Sequence, residues 1–295
     1  MLIQSEFDIQ FNLAQPTPFV ALLHLHPSLE PQLSLAPNPA ADDHLHADHL
    51  GPSKELLREL PLDEYLDTFG NRCSRFVAPA GNLRLHARNV ITIADLPDPQ
   101  PINAFQAPME QLPAHTLQFL LPSRYCQVDL FGGIAHDLFS QLPAGWALAT
   151  AIRDWVHQTV SFDYAKARPT MTAMDVFSER FGVCRDFQHL AVTFTRCMKI
   201  PARYVTGYIG DIHVPFSGPG DFSAWYQVWL DGQWWDMDAR HNHPRYGRIL
   251  MATGRDAADV AITTSFGNAD LTNFYVDSFE IDPNGNRIPR QPNKN

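Results

Sequence analysis

The residue best suited to chemistry is Cys184, which the sequence places near the start of a helix. Gly182 supplies the left-handed conformation on which a preceding helix often ends. Apolar residues then recur at three- and four-residue steps until Pro201, which predicts a buried helix that opens near the cysteine. Free N–H groups and the helix dipole favour a thiolate there, and Arg180 and Arg185 are close enough in sequence to add to this field. The pKa of the thiol is therefore predicted to be lowered.

A buried cysteine is more often a small apolar side chain than a nucleophile, so its partners must decide. The clearest candidate partners lie on a hairpin, because an Asp-Gly pair at 231–232 separates two aromatic runs. Asp-Gly between such runs is a strong signal for a two-residue β-turn. That turn pairs Leu230 with Gln233, and counting back along the strands places Ser223 and Asp238 on one face.

The order of these motifs resembles the bacterial transglutaminase-like family of cysteine proteases. The resemblance covers roughly residues 60 to 270 and rests on Gly-Val-Cys-Arg-Asp-Phe at 182–187, Ile-Pro-Ala-Arg-Tyr-Val at 200–205, Ala-Trp at 224–225, the aspartate on the hairpin return, and Gly-Arg-Asp-Ala-Ala-Asp-Val at 254–260. It implies a papain-like core with a cysteine nucleophile, a histidine just before Ala-Trp and an aspartate on the next strand. These roles fall on Cys184, Ser223 and Asp238.

Ser223 departs from the family pattern, since a serine hydroxyl is not a useful base near neutral pH. Three hypotheses remain open. In the first, His241 replaces the missing base, which requires the chain to turn after Asp238. In the second, the thiolate forms without a histidine. In the third, the site is inactive and the domain binds peptides or proteins. His213 is a weaker candidate base. His189, on the predicted cysteine helix, is expected to be a buried structural histidine.

An active site of this type would catalyse acyl transfer. The thiolate attacks a carboxamide or peptide carbonyl to give a thioester, which water or an amine then resolves. The backbone N–H of Cys184 points outward at the helix start and is the expected oxyanion donor. The substrate is expected to be a peptide, a protein or a small amide, and neither the active nor the inactive hypothesis implies a cofactor.

The elements that position these residues predict an α+β protein. Residues 1–107 contain short runs of strand type separated by turns, including one at 67–72, which is typical of an antiparallel β-sandwich. Residues 108–143 are interpreted as a proline-containing connector, and 144–295 as the core domain. In this core the cysteine helix is expected to pack on an antiparallel sheet, in agreement with the transglutaminase/papain-like core that the resemblance implies.

Composition excludes several classes of function. The net charge of −10, from 32 acidic and 22 basic residues without a basic cluster, argues against a nucleic-acid or anionic-membrane partner. No apolar run approaches the 18 or so residues of a membrane span, and the first twenty residues, which lack a basic and apolar pattern, are not expected to act as a secretory signal. Four cysteines without a CxxC pair predict neither a disulfide framework nor a zinc site, so a cytoplasmic location is expected.

One stretch outside the core has the residue types of a metal site. Residues 42–49 contain three aspartates besides His44, His46 and His49, which suit zinc or nickel. The spacing matches no known metal fold, and prolines flank the stretch. It is therefore interpreted as a solvated loop, and no metal site is predicted.

Overall fold

The structure, a computed structural model, describes residues 1–34, 42–215, 218 and 220–290. Its helices are α1 Glu30–Ser34, α2 Ala114–Leu117, α3 Val128–Phe139, α4 Trp146–Thr159, α5 Ala173–Glu179 and α6 Cys184–Cys197. Its strands are β1 Leu2–Leu13, β2 Thr17–Ala21, β3 Asp42–Leu50, β4 Leu56–Glu59, β5 Asp63–Leu66, β6 Arg72–Ala78, β7 Gly81–Thr92, β8 Ser161–Phe162, β9 Phe181–Gly182, β10 Ala202–Ile209, β11 Ser223–Leu230, β12 Gln233–Met237, β13 Arg248–Gly254, β14 Thr263–Ser265 and β15 Asp270–Ile281. Within these ranges, no helix combines the length and the hydropathy needed to cross a membrane.

Two antiparallel sheets form the N-terminal region, in the orders β15-β1-β7-β3-β4 and β14-β2-β6-β5. Strand β1 shows why the sequence favours this arrangement, because Phe7, Ile9, Phe11 and Leu13 alternate with polar residues and join one apolar cluster with residues of both sheets. The predicted antiparallel, sandwich-like region is therefore confirmed.

The second half is built around α6, which is buried along most of its length. It packs against the antiparallel sheet β12-β11-β10-β13 and is flanked by α3, α4 and α5. Phe194 of α6 lies edge-on to Phe131 of α3 and to Trp155 of α4, with ring centroids 5.2 and 5.3 Å apart. This confirms the α+β class and the expected packing of a cysteine-bearing helix on an antiparallel sheet.

The structure differs from the proposed connector and domain limits in two places. Helix α3 lies inside the stretch 108–143 and buries Phe131 and Phe139 against the core, because the prolines of that stretch fall outside the helix. Strand β15, near the end of the chain, pairs with β1 from Leu2 to Asn12 and so completes the N-terminal sheet. Neither contact is visible in local sequence patterns.

The interpretation of residues 42–49 as a solvated loop is wrong. Strand β3 covers Asp42–Leu50 and pairs with β7 and β4, with Leu45 and Ala47 buried. The alternation was masked by the polar residues of the outer face, where His46 Nδ1 lies 2.7 Å from Glu59 Oε1. Among the residues described, no group of three or more His, Cys, Asp and Glu side chains is arranged to hold a metal ion.

Candidate active site

Cys184 is the first residue of α6, as the sequence predicts. Val183 precedes it with an extended backbone, and Asp186 Oδ2 accepts a hydrogen bond of 2.9 Å from the Val183 N–H. This side chain therefore caps the helix start. The N–H of Cys184 has no carbonyl partner within the helix, since the first four N–H groups of a helix never do.

The preceding helix ends differently from the prediction. Arg180, with φ of 62°, adopts the left-handed conformation after α5, whereas Gly182 lies in the short strand β9. A Cβ on Gly182 would approach the Asp186 Cβ to 2.6 Å. The glycine is therefore required by the close approach of the chain to the helix cap and not by a left-handed turn.

The resting thiol is protonated. Burial raises the pKa of Cys184 to about 11, with a further contribution from the nearby charge of Asp221, while Arg240 opposes the shift. The expected lowering of the thiol pKa is therefore wrong for the resting site, because desolvation outweighs the field at the helix start.

The two arginines expected to create that field have other partners. Arg185 donates to Asp186 Oδ1 at 2.8 Å and to the carbonyl of Arg168 at 2.7 Å. The guanidinium of Arg180 lies 4.3 Å from the ring centroid of Phe177. Sequence proximity to Cys184 did not reveal these tertiary contacts.

The hairpin that faces α6 has the predicted register. Leu230 pairs with Gln233, and Asp231 and Gly232 have positive φ angles of 52° and 76°, as a two-residue turn of this type requires. Strand β12 ends at Met237, so its next residue, Asp238, is free to leave the sheet.

The chain turns after Asp238. Its Oδ1 accepts hydrogen bonds from the backbone N–H groups of Arg240 at 2.9 Å and His241 at 3.1 Å, and its carbonyl accepts from Asn242 at 3.0 Å. The turn brings His241 Nδ1 within 2.9 Å of Asp238 Oδ2. The condition under which His241 could replace the missing base is therefore met.

Asp238 is ionised within its buried environment. Burial alone would raise the pKa of its carboxyl, but the hydrogen bond from His241 and the charge of Arg248 hold this pKa well below its ordinary value. Arg248 Nη2 lies 3.4 Å from Oδ2, and Gln188 of α6 donates to Oδ1 at 3.1 Å. The carboxylate is thus fixed by both α6 and the sheet.

The carboxylate determines the tautomer of His241. Because Nδ1 faces a negative oxygen, it carries the proton, and Nε2 is left as an acceptor that receives a hydrogen bond of 2.8 Å from Arg240 Nη1. Burial lowers the pKa of His241, and Arg240 lowers it further, against the opposing effect of Asp238. The imidazole is therefore neutral near pH 7, in the state that a general base requires.

One cavity of about 370 Å³ is lined by Cys184, Ser223 and His241. Arg240 and Asp221 also line it, although the sequence did not single them out. Arg240 directly precedes His241, so its proximity to the candidate base was the signal available in the sequence. Asp238 lies behind the imidazole and does not line the cavity.

The other two histidines considered from the sequence lie apart from this cavity lining. His213 Nε2 is 3.0 Å from Asp95 Oδ1. His189 is fully buried, its Nε2 accepts from the Ala257 N–H at 3.1 Å, and its ring stacks on Tyr125 with centroids 4.8 Å apart. Its surroundings agree with the structural role expected for it.

The sequence matches the transglutaminase-like superfamily over residues 134–239, a range that contains α6, the hairpin and Asp238. Two mycobacterial relatives match in part. An uncharacterized protein of Mycobacterium leprae is 33% identical over 121 residues, which cover 39% of this chain and 42% of the relative. One of Mycobacterium bovis is 30% identical over 128 residues, covering 38% and 40%. The matches thus span less than half the length of these relatives.

One solved structure resembles the whole chain. The crystal structure named "Putative Cysteine Protease" from Cytophaga hutchinsonii superposes with a TM-score of 0.79 at 28% identity, covering 100% of this chain and 95% of that one. The likeness therefore includes the N-terminal sheets as well as the core. With the superfamily match over residues 134–239 and the order of the motifs around Cys184, it supports the resemblance of this chain to the bacterial transglutaminase-like family.

Proposed function

We propose that the chain is a cysteine acyl hydrolase or transferase that acts on a peptide or amide bond. Cys184 is the nucleophile, His241 the general base, and Asp238 the group that orients the imidazole. The observation that carries the proposal is the 2.9 Å contact between His241 Nδ1 and Asp238 Oδ2 at a cavity that Cys184 also lines. A nucleophile, a base and an orienting carboxylate are the parts that acyl transfer requires.

The reaction begins with a neutral pair, since burial keeps the thiol protonated and the imidazole is neutral. His241 Nε2 takes the thiol proton as Sγ bonds to the carbonyl carbon, and the negative charge passes to the carbonyl oxygen. The Cys184 N–H at the start of α6 stabilises this oxyanion. The C–N bond then breaks, the leaving amine takes the proton from His241, and water or another amine resolves the thioester.

Ser223 has a different part in this proposal. It lines the cavity at the start of β11, where the family pattern has a histidine. Its hydroxyl does not act as the base. Removal of the hydroxyl is therefore expected to change turnover far less than removal of the His241 imidazole.

A second function is an inactive peptide- or protein-binding module. The observation that favours it is the 2.8 Å contact between Arg240 Nη1 and His241 Nε2, which occupies the imidazole lone pair that would accept the thiol proton. In such a module the cavity would bind a chain segment without cleaving it.

The experiment that separates these functions is trapping of the thioester. The wild-type protein is incubated with a panel of peptide anilides and carboxamides, and acylation of Cys184 is followed by intact and peptide mass spectrometry. We expect a thioester and amine release in the wild type and neither in Cys184→Ala.

Cys197→Ala is the matched control, because Cys197 lies at the other end of the same helix. It is expected to keep turnover within about threefold of the wild type, as a substitution outside the site should. Amine release that persists in Cys184→Ala would exclude this nucleophile. Saturable peptide binding without acylation in the wild type would support the binding module.

A further inference from the structure

The cavity contains a guanidinium whose positive charge has a neutral partner. Arg240 donates to His241 Nε2 at 2.8 Å, and its Cζ lies 4.2 Å from the ring centroid of Phe162. Within the ranges that the structure describes, no carboxylate lies within ion-pair distance of this guanidinium. Arginine has five N–H donors, so one contact with an imidazole leaves most of its hydrogen-bonding capacity available to a ligand in the cavity.

The other two arginines of the cavity lining already have carboxylate partners. Arg245 Nη2 lies 3.2 Å from Asp211 Oδ1, and Arg290 forms an ion pair with Asp277. Asp277 also pairs with Arg287 at 3.0 Å, so each of these two lining arginines has a carboxylate partner, and Arg290 shares its partner with Arg287. Arg240 is therefore the arginine of the described lining that has no carboxylate within ion-pair distance.

One acidic group of the lining also remains, Asp221. Burial raises the pKa of its carboxyl, and the charge of Arg240 opposes this shift from beyond ion-pair distance. Because no described carboxylate pairs directly with Arg240, a negative group of a ligand can make that contact on the Arg240 side of the cavity.

We propose that Arg240 binds a carboxylate of the substrate next to the scissile amide, and that this contact releases Nε2 of His241 for the thiol proton. The proposal rests on the base assigned to His241 above. A carboxylate can accept two parallel N–H bonds from a guanidinium, and such charge-assisted bonds are stronger than the bond to a neutral imidazole that they replace. The ring of Phe162 lies against the guanidinium face, so a carboxylate would approach Arg240 along the N–H edges and not over the plane.

One site thereby combines the His241–Asp238 pair with the Arg240 contact that blocks it. In the free protein, Arg240 occupies the acceptor of His241, which favours the inactive state. A substrate with the required carboxylate removes that hydrogen bond as it binds, so the binding energy of the anion is used to complete the catalytic pair. The substrate class is an amide with a carboxylate close to the reacting carbonyl.

Charge-selective alkylation tests Arg240 without knowledge of the substrate. Iodoacetate and iodoacetamide are similar in size and differ in charge. Iodoacetate is an anion and carboxymethylates a thiol, whereas iodoacetamide is neutral and carbamidomethylates it. The second-order rate constants of both reagents at Cys184 are measured by peptide mass spectrometry. The iodoacetate rate constant is divided by the iodoacetamide rate constant, and this ratio at Cys184 is compared with the same ratio at Cys197. We expect Arg240→Gln to lower the ratio at Cys184 about tenfold, the size expected for loss of one charge-assisted contact.

Arg124→Gln is the matched control, since Arg124 also lies over an aromatic ring, at 5.0 Å from the Tyr125 centroid, but is not part of the cavity lining. It should leave the ratio at Cys184 unchanged. If the wild type turns over amides but the ratio at Cys184 is equal in the wild type and in Arg240→Gln, the anion site is overturned and the proposed function stands. A lowered ratio in a protein that turns over no amide supports the anion site and counts against the proposed function.

A second arm identifies the source of the carboxylate. Peptide amides are compared as matched pairs, one pair with a free or amidated C-terminus and one with Glu or Gln beside the scissile bond. The wild type should prefer the acid member of one pair, and Arg240→Gln should lose that preference in kcat/KM. A preference for the free C-terminus would mean that Arg240 binds a terminal carboxylate, and a preference for Glu would mean that it binds a side-chain carboxylate. Equal turnover of all four peptides by the wild type overturns the inference.

Discussion

Two buried regions of the core combine a histidine with an aspartate, and only one has the arrangement of a catalytic pair. In the first, Asp238 accepts the Nδ1–H of His241 at 2.9 Å, and His241 lines the cavity. In the second, His189 Nε2 accepts a backbone N–H, and the neighbouring Asp256 accepts from the N–H groups of Tyr125 and Ala258. The same two residue types therefore form a direct side-chain pair in the first region and separate contacts with the backbone in the second.

The difference lies in which group meets the carboxylate. Asp238 binds the imidazole directly and fixes a tautomer whose lone pair points away from it. The oxygens of Asp256 accept hydrogen bonds from backbone N–H groups. The lone pair of the fully buried His189 also accepts a hydrogen bond from a backbone N–H. A histidine and an aspartate in one region thus indicate acid–base chemistry only when the carboxylate binds one ring nitrogen and the ring itself lines a cavity, as His241 does even though Arg240 contacts its Nε2.

The largest expected effect comes from His241→Ala. It removes the proton acceptor, so kcat/KM should fall by about 10²–10⁴, the usual contribution of a general base. Amine release from an anilide substrate and the urea unfolding midpoint are measured on the same preparation. A variant that folds like the wild type and keeps full activity would show that the base is another group.

A smaller loss is expected from Asp238→Asn, which replaces the acceptor of the Nδ1 proton and so frees the other tautomer. We expect kcat to fall about 10²-fold, the lower part of the range for general-base catalysis. The substitution also removes the charge that faces Arg248, and breaking a buried pair costs about 3–5 kcal/mol. Activity is therefore measured per folded molecule, and unchanged kcat would separate Asp238 from the reaction.

The matched substitution in the other region is His189→Asn. It leaves the Ala257 N–H without its acceptor and removes the ring that stacks on Tyr125. We expect the free energy of unfolding to fall by about 1–3 kcal/mol, the cost of an unsatisfied buried group, while kcat per folded molecule changes little. A selective loss of kcat with no change in stability would contradict the distinction between the two histidines.

The pH dependence sharpens the same comparison. Burial lowers the pKa of His241, so the imidazole charges only at a pH below the ordinary value of about 6.5. The kcat/KM profile should therefore have its acid limb below pH 6.5 and fall about tenfold per pH unit beneath it. In Arg240→Gln this limb should move to higher pH, because one cause of the lowering is removed. A limb above 6.5 in the wild type would contradict the assignment.

The smallest effect is predicted for Ser223→Ala. Because the hydroxyl is not the base in the proposed reaction, kcat/KM should change by no more than about threefold, as for most substitutions outside the chemical step. The measurement uses the same anilide substrate as His241→Ala. A loss comparable with that of His241→Ala would make Ser223 a direct participant.

The local features of the site could be read from the sequence. The Asp-Gly turn fixed the pairing of Leu230 with Gln233, and helical spacing located the start of α6 at Cys184. The turn after Asp238 was identified only as a condition, because it depends on the side chain of Asp238 accepting N–H groups from residues that follow it. A strand pattern carries no information about such a bond.

The tertiary features could not be read in this way. Arg180 and Arg185 are near Cys184 in sequence, yet their partners are an aromatic ring, a helix cap and a distant carbonyl. Strand β3 was not predicted because its polar residues outnumber its inward apolar residues, among them Leu45 and Ala47. The pairing of β15 was not predicted because its partner β1 is far away in sequence. In each case the deciding contact joins segments that no local window contains.

The pairing of β15 with β1 also sets an order on folding. A hydrogen bond such as that from Asn273 to Asp8 spans 265 residues, and closing so long a loop is entropically costly and slow. Asp277 and Ser278 of this same strand form part of the cavity wall. During synthesis, therefore, the cysteine helix emerges before the strand that supplies Asp277 and Ser278, and this side of the cavity wall is completed only when β15 pairs with β1.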